Sequence, residues 1–481
     1  MRRLPAVVGA LFVGLVVWPL TAGMTLAGDE YSYRTVIDES DGLWHHLVAL
    51  WESRIFRPLD LLGGYLTDPT DLDARATMLL HVPCLVAMVA ALRSGMRRLA
   101  PDAPAAWLIA AMVVGLHTAT SVVLWLPAAI SQTAAGACGL WLGLVLWRGL
   151  DAARAAEPVG RAVMKLTVLA LVGVHCRETF YGWCVSGLLV IGCVGWVAKR
   201  RDPTHRWRPW LALALPLLLV PLCHVIVRTA TGGMGEMFEV GPDRYQLHGP
   251  LDMVRHGALS LIGQFTLGPV HMARGLGEPF LRVVTLGGIL LTAALALKAL
   301  SRPEGRGVVL AVALYTFASV APMLPAGAFS EVYLMGPNAG AAMLVTLGLL
   351  AGWRGHRRRA WVAVALVVAT IGAYGLVSRA VHYELTWQYS ATLQRQIADF
   401  QAARPPSASP ADVLSPTSCN IGPSHSQYVQ TPIFALRPYW TERWVNARHP
   451  ERPIRVGALG ADETPGALVL DCSALPERPR W

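Results

Sequence analysis

An all-α, polytopic membrane protein is the fold class this sequence predicts, and three observations predict it. Of 481 residues, 54% are hydrophobic and only 15% charged, where soluble globules carry roughly a quarter charged residues. Apolar stretches long enough to cross a bilayer, about 20 residues each, recur along the chain, and mean hydropathy is +0.44. Basic clusters punctuate them: Arg93/Arg97/Arg98, Arg148/Arg154/Arg161, Lys199-Arg200-Arg201, Lys298/Arg302/Arg306 and Arg357-Arg358-Arg359. The formal net charge of +10 is therefore a topology signal, not a nucleic-acid footprint. Residues after Arg379 are balanced, with nine arginines and nine acids, so the excess lies in the membrane part.

Each span is justified in turn. Leu4 to Leu26 is almost wholly apolar and follows Met1-Arg2-Arg3. It exceeds the ~7–15-residue core of a signal peptide, so it reads as an uncleaved anchor; either choice leaves Asp29 on the outer side. Eleven spans are expected, at about 4–27, 76–93, 104–122, 128–148, 162–176, 179–198, 209–228, 279–299, 308–324, 333–352 and 360–379. With the N-terminus and the basic clusters in the cytoplasm, the odd number of spans places the C-terminal tail outside. The apolar stretch 256–272 breaks this pattern if it spans, because Arg357–Arg359 would then face out. It is read as re-entrant or interfacial. The chain thus divides into a membrane domain, 1–380, and an extracytoplasmic tail, 381–481.

Two outer loops are long, 28–75 and 229–278. In the first, Trp44, Leu47, Val48, Trp51 and Ile55 share one helical face, with His45, His46, Glu52 and Arg54 elsewhere around it. That is the pattern of a helix lying in the membrane interface. The second is Gly-rich, then mixed polar and apolar. The tail opens with a plausible helix, HYELTWQYSATLQRQIADFQ, passes a Pro/Ser/Ala linker, and ends in a small Pro-rich segment.

Candidate chemistry lies at the outer ends of spans. Asp29 and Glu30 follow the first span, where a carboxylate can take a proton from an acceptor hydroxyl or hold a divalent cation; a solvated loop pair has the same sequence. Arg57-Pro58-Leu59 follows the interfacial stretch. Proline there ends the helix or turns the chain back, and Arg57 is placed to meet a phosphate or bulk head groups. His175-Cys176-Arg177-Glu178 forms a tight outer turn, whose charged pair needs a ligand or forms a local salt bridge. Glu331 and Tyr333 open a later span, with Tyr333 also suited to an interfacial aromatic belt. His81 and His117 lie at or near membrane depth.

Six cysteines, Cys84, Cys138, Cys176, Cys184, Cys193 and Cys223, fall in or beside apolar spans and read as small hydrophobes. Cys419 and Cys472 are the two in the tail, and they can pair if the tail is extracytoplasmic. No metal-ligand spacing, phosphate loop, Gly-x-Ser-x-Gly or HExxH element is present. That argues against ATP-driven transport and membrane metalloproteolysis by those routes.

Taken in order, these motifs resemble the GT-C glycosyltransferases, in particular a branch similar to the protein O-mannosyltransferases. The residues that carry the resemblance are GDEYSYRT, IFRPLDLLGGYL, ATMLLHVPCLVAMVAALRSGMRRL, CRETFYGWCV, FSEVYLMGPNAG and LTWQYSATLQRQI. The resemblance implies a sugar donor on a polyprenyl or dolichyl phosphate, used on the extracytoplasmic side with a protein or glycan acceptor. It implies Asp29 as the catalytic acid, with Glu30 beside it, and Arg57 and Arg177 facing the lipid phosphate. His81, Glu178, Glu331 and Tyr333 are then expected in the substrate site. A divalent cation is admitted but not required, and no other cofactor is implied. Arg177 stands where lysine is usual, and Val332 replaces an arginine. A lipid-sugar flippase or other transporter, a glycan polymerase or ligase, and a plain membrane anchor for the tail are the competing classes.

Overall fold

The structure is a computed structural model. It describes residues 4–12, 42–52, 58–66, 75–116, 130–177, 179–202, 206–231, 249–254, 293–295, 297–301, 306–321, 335–353, 387, 388, 390–407, 409–415, 420–423, 432–434, 438–458 and 466–471, with a few isolated positions besides. In chain order the helices of the first part are α1 (Leu4–Phe12), α2 (Gly42–Glu52), α3 (Pro58–Tyr65), α4 (Met78–Leu99), α5 (Ala106–Leu116) and α6 (Ile130–Arg154). There follow α7 (Gly160–Cys176), α8 (Phe180–Arg201), α9 (Arg208–Ala230), α10 (Arg306–Ala318) and α11 (Met335–Trp353).

Helix α6 is the axis of this bundle, and its glycines explain why. A Cβ at Gly136 would lie 3.2 Å from the backbone of Gly336 on α11. One at Gly139 would strike the Trp183 ring of α8, and one at Gly143 the Tyr315 ring of α10. Small residues let partners approach closely where helices associate by packing. Accordingly 78% of the apolar window of α6 is buried, against 28% in α9. Helix α9 instead exposes Leu211, Leu215, Leu218, Leu219, Leu222 and Ile226, the apolar surface a lipid-facing helix presents.

Among the described residues, α4, α6, α8 and α9 are long and apolar enough to cross a membrane. They coincide with the expected spans 76–93, 128–148, 179–198 and 209–228. Helices α5, α7, α10 and α11 fall at four more. Helix α1 lies within the first expected span. Most of 279–299 and 360–379, and all of 256–272, lie outside the described residues. The ends of α4 and α6 sit together: Arg98 pairs with Asp151 at 3.4 Å, and Arg148 donates to Ser94 at 3.3 Å. Arg98 also lies over Trp147 and Arg200 over Trp196, at 5.3 and 3.9 Å from the ring centroids. Arginine heads on tryptophan faces suit an interface where stems are apolar and heads wet.

Pro58 is the first residue of α3, where its fixed φ and missing N–H cost nothing. In α2, His46 is buried and its ring nitrogen bonds the Tyr65 hydroxyl, while Trp44 is exposed.

The strands lie in the tail. Helix α12 (390–403) precedes β1 (Ala411–Ser415), β2 (Asn420–Pro423), β3 (Pro432–Phe434), α13 (Pro438–Arg448), β4 (Ile454–Ala458) and β5 (Leu468–Val469). β1 is central in a parallel sheet of order β4-β1-β5, with Ala411 opposite Ile454 and Val413 opposite Leu468. β2 and β3 form an antiparallel pair. Side-chain amides finish the edges. Gln396 exchanges two 2.8 Å bonds with the backbone of Asp471. Asn446 exchanges bonds of 2.9 and 2.8 Å with the backbone of Ile454.

Candidate functional site

Three consecutive polar residues, Ser131, Gln132 and Thr133, open α6 and are all buried. The first turn of a helix has amides with no partner inside the helix and carries its positive dipole end. Asp60 of α3, 1% exposed, supplies the anion. The Ser131 N–H donates to Asp60 Oδ1 at 2.8 Å, and the Ser131 hydroxyl donates to Asp60 Oδ2 at 2.8 Å. Asp60 also sits in the first turn of its own helix. Two helix N-termini therefore stabilise one carboxylate.

Arg177 closes the same corner from the other side. It is the C-cap of α7, in extended backbone, and its N–H bonds Gly173 O at 3.2 Å. Only 6% exposed, its Nη1 donates to Ser131 Oγ at 3.4 Å. The serine hydroxyl thus accepts from a guanidinium and donates to a carboxylate, a sequence in which each bond polarises the next. Around it, the Thr179 hydroxyl donates to Gln132 Oε1 at 3.4 Å, and His81 Nδ1 lies 2.9 Å from Thr133 Oγ. Each polar residue of the first turn of α6 is tied to a different segment. Among the described residues, His81 Nε2 is buried without a protein partner.

A second cluster docks α2. The Tyr181 hydroxyl lies 2.6 Å from His224 Nδ1, and the His175 and His224 rings meet edge-on at 4.9 Å. Trp51 stands edge-on to His224, donates from its indole to Thr231 Oγ at 2.9 Å, and lies under the Arg228 guanidinium at 5.6 Å. Arg228 is 2% exposed. Helix α2 is thereby fixed to the last turns of α9.

Of the residues singled out in the sequence, Arg177 and His81 are brought to the start of α6. Asp29, Glu30, Arg57, Glu178, Glu331, Tyr333, Cys419 and Cys472 lie outside the described residues. Cys84, Cys138, Cys176, Cys184, Cys193 and Cys223 are free thiols. Asp60, Ser131, Tyr181, His224 and Arg228 were not anticipated. A signal for Asp60 existed, three residues beyond Arg57, and for Ser131 in the polar trio that opens an apolar run. Among the described residues, no three His, Cys, Asp or Glu side chains form a metal-ligand group.

No family model matches the chain, and no curated protein sequence does either. Solved structures do. The apo crystal structure of ArnT from Cupriavidus metallidurans superposes over 94% of this chain and 89% of its own, at TM-score 0.50 and 15% identity. The chain has the fold of ArnT. With the four apolar helices, this likeness supports an integral membrane protein. ArnT bound to undecaprenyl phosphate matches over the same shares, at TM-score 0.49 and 14% identity. An Archaeoglobus fulgidus oligosaccharyltransferase tethered to an acceptor peptide with an NVT sequon covers 94% of this chain and 63% of its own, at TM-score 0.45 and 11% identity.

Proposed function

We propose that this protein is a membrane glycosyltransferase of the polyprenyl-phosphate-dependent kind, moving a sugar to an acceptor hydroxyl on the extracytoplasmic side. The observation that carries the proposal is the buried Arg177, held beside Ser131 and Asp60 at the end of α6 away from the Arg98–Asp151 cluster, in a chain that shares the fold of ArnT. ArnT binds undecaprenyl phosphate, and a buried guanidinium is a fitting partner for such a phosphate. A transporter is expected to keep its ionisable groups near mid-depth. Asp60 and Arg177 instead lie at helix ends.

In the proposed reaction the acceptor oxygen attacks the anomeric carbon and the bond from that carbon to the phosphate oxygen breaks. Asp29 takes the hydroxyl proton, and Arg57 and Arg177 meet the charge of the departing lipid phosphate. Glu30, His81, Glu178, Glu331 and Tyr333 complete the substrate site in this reading. A divalent cation at Asp29 and Glu30 is the alternative means of activating the acceptor. The motifs favour the O-mannosyltransferase-like branch, with the membrane domain 1–380 carrying the chemistry and the tail 381–481 outside. Supporting this topology are the basic clusters gathered at the opposite helix ends.

The test is turnover of a polyprenyl-phosphate sugar by the purified protein in liposomes. Asp29→Asn is expected to lower the rate by about 10²–10⁴-fold, the usual contribution of a positioned base. Turnover at the wild-type rate would remove Asp29 from its role. No transfer by the wild-type protein from any polyprenyl-phosphate sugar would overturn the reading itself.

A further inference from the structure

The hydroxyl of Ser131 stands between the two buried charges of the corner. Asp60 holds this serine at two atoms, backbone N–H and Oγ, each at 2.8 Å. With its hydroxyl hydrogen committed to the carboxylate, Ser131 Oγ accepts from Arg177 Nη1. Ser131 is 0% exposed and Asp60 1%, so water does not compete for these bonds. An arginine side chain is otherwise rich in rotamers, with about 2 kcal/mol of conformational entropy to lose.

We infer that Ser131 is a positioning residue for the donor phosphate: its hydroxyl, locked by Asp60, holds the Arg177 guanidinium in one orientation. The inference rests on the donor-phosphate reading of Arg177 above. Ser131 does not touch the reacting atoms. It acts by removing the freedom that Arg177 would lose on binding. Asp60 secures the serine rather than the lipid, since both of its oxygens are engaged by Ser131. A serine that merely caps α6 predicts something different: stability would change and phosphate affinity would not.

The experiment measures affinity for undecaprenyl phosphate by the purified full-length protein in nanodiscs, together with Tm, for wild type, Ser131→Ala, Arg177→Ala and the double variant. Ser131→Ala keeps the backbone bond to Asp60, so α6 stays capped. It is expected to weaken undecaprenyl phosphate binding by about tenfold, the scale of one charge-assisted hydrogen bond. In the Arg177→Ala background the same substitution is expected to change nothing, because the serine acts only through that arginine. Unchanged affinity in Ser131→Ala, or an equal loss with and without Arg177, overturns the inference and leaves the donor reading standing. If wild type binds no undecaprenyl phosphate, or Arg177→Ala binds it as wild type does, the donor reading fails and takes the inference with it. Ser131→Cys keeps the volume and loses most of the hydrogen-bonding strength, and repeats the test should the alanine variant not purify.

Discussion

Arg177 shows how much one residue's meaning depends on its neighbours. In the sequence it is half of an Arg-Glu pair in a short turn, equally at home as a salt bridge or a ligand contact. In the structure it caps α7 and reaches across to the first turn of α6, beside a carboxylate that belongs to a third helix. Arg177→Ala is expected to weaken undecaprenyl phosphate binding by about tenfold or more, since hydrogen bonds to charged groups are worth roughly 1.5–3 kcal/mol. Arg177→Lys should recover part of this, because the charge is kept while the planar fork is lost. A titration of binding across the three proteins checks the order. Equal affinity in all three would take the arginine out of the site.

At the scale of elements, the bundle is organised by close approach. The start of α8 runs so near the end of α10 that a Cβ at Gly182 would overlap the Ser319 carbonyl. Gly182→Val must push two backbones apart, and overpacking of this kind costs about 1–3 kcal/mol. A lowered Tm of the detergent-purified protein is the expected result, and an unchanged Tm would show that α8 has room to move. The interfacial helix illustrates what patterning can and cannot say. Its period was visible in Trp44, Leu47, Val48 and Trp51. Its docking was not, because His46, Trp51 and Arg228 meet partners 19 to 180 residues away or across the α2–α9 contact. Pro58, which opens α3, is a related case. Proline marks a helix boundary in sequence, but only the fold says whether the helix ends or begins there.

For the whole molecule, the tail is where expectation and structure part most. Its strands are two to five residues long and flanked by proline or masked by loop-like composition, too short for alternation to register. They become a sheet only because β1 finds β4 and β5 from far along the chain, with Gln396 and Asn446 closing the edges. Removing residues 405–481 takes away this sheet and spares the start of α6. Transfer from a polyprenyl-phosphate sugar should remain measurable in that truncated protein. Complete loss of transfer with the membrane part intact would move the catalytic role of the tail to the front.

The sequence by itself determined that this is a helical membrane protein and roughly where its spans fall. Those are local properties: apolar run length, charge placement and a few ordered motifs. Only the tertiary structure decided that Asp60, Ser131 and Arg177 form one hydrogen-bonded chain. The partners come from three helices, Asp60 and Ser131 being 71 positions apart and Ser131 and Arg177 46. A buried carboxylate and a buried guanidinium are each unfavourable alone in an apolar bundle. It is their meeting at a helix N-terminus, a fact of packing and not of order along the chain, that makes them stable together.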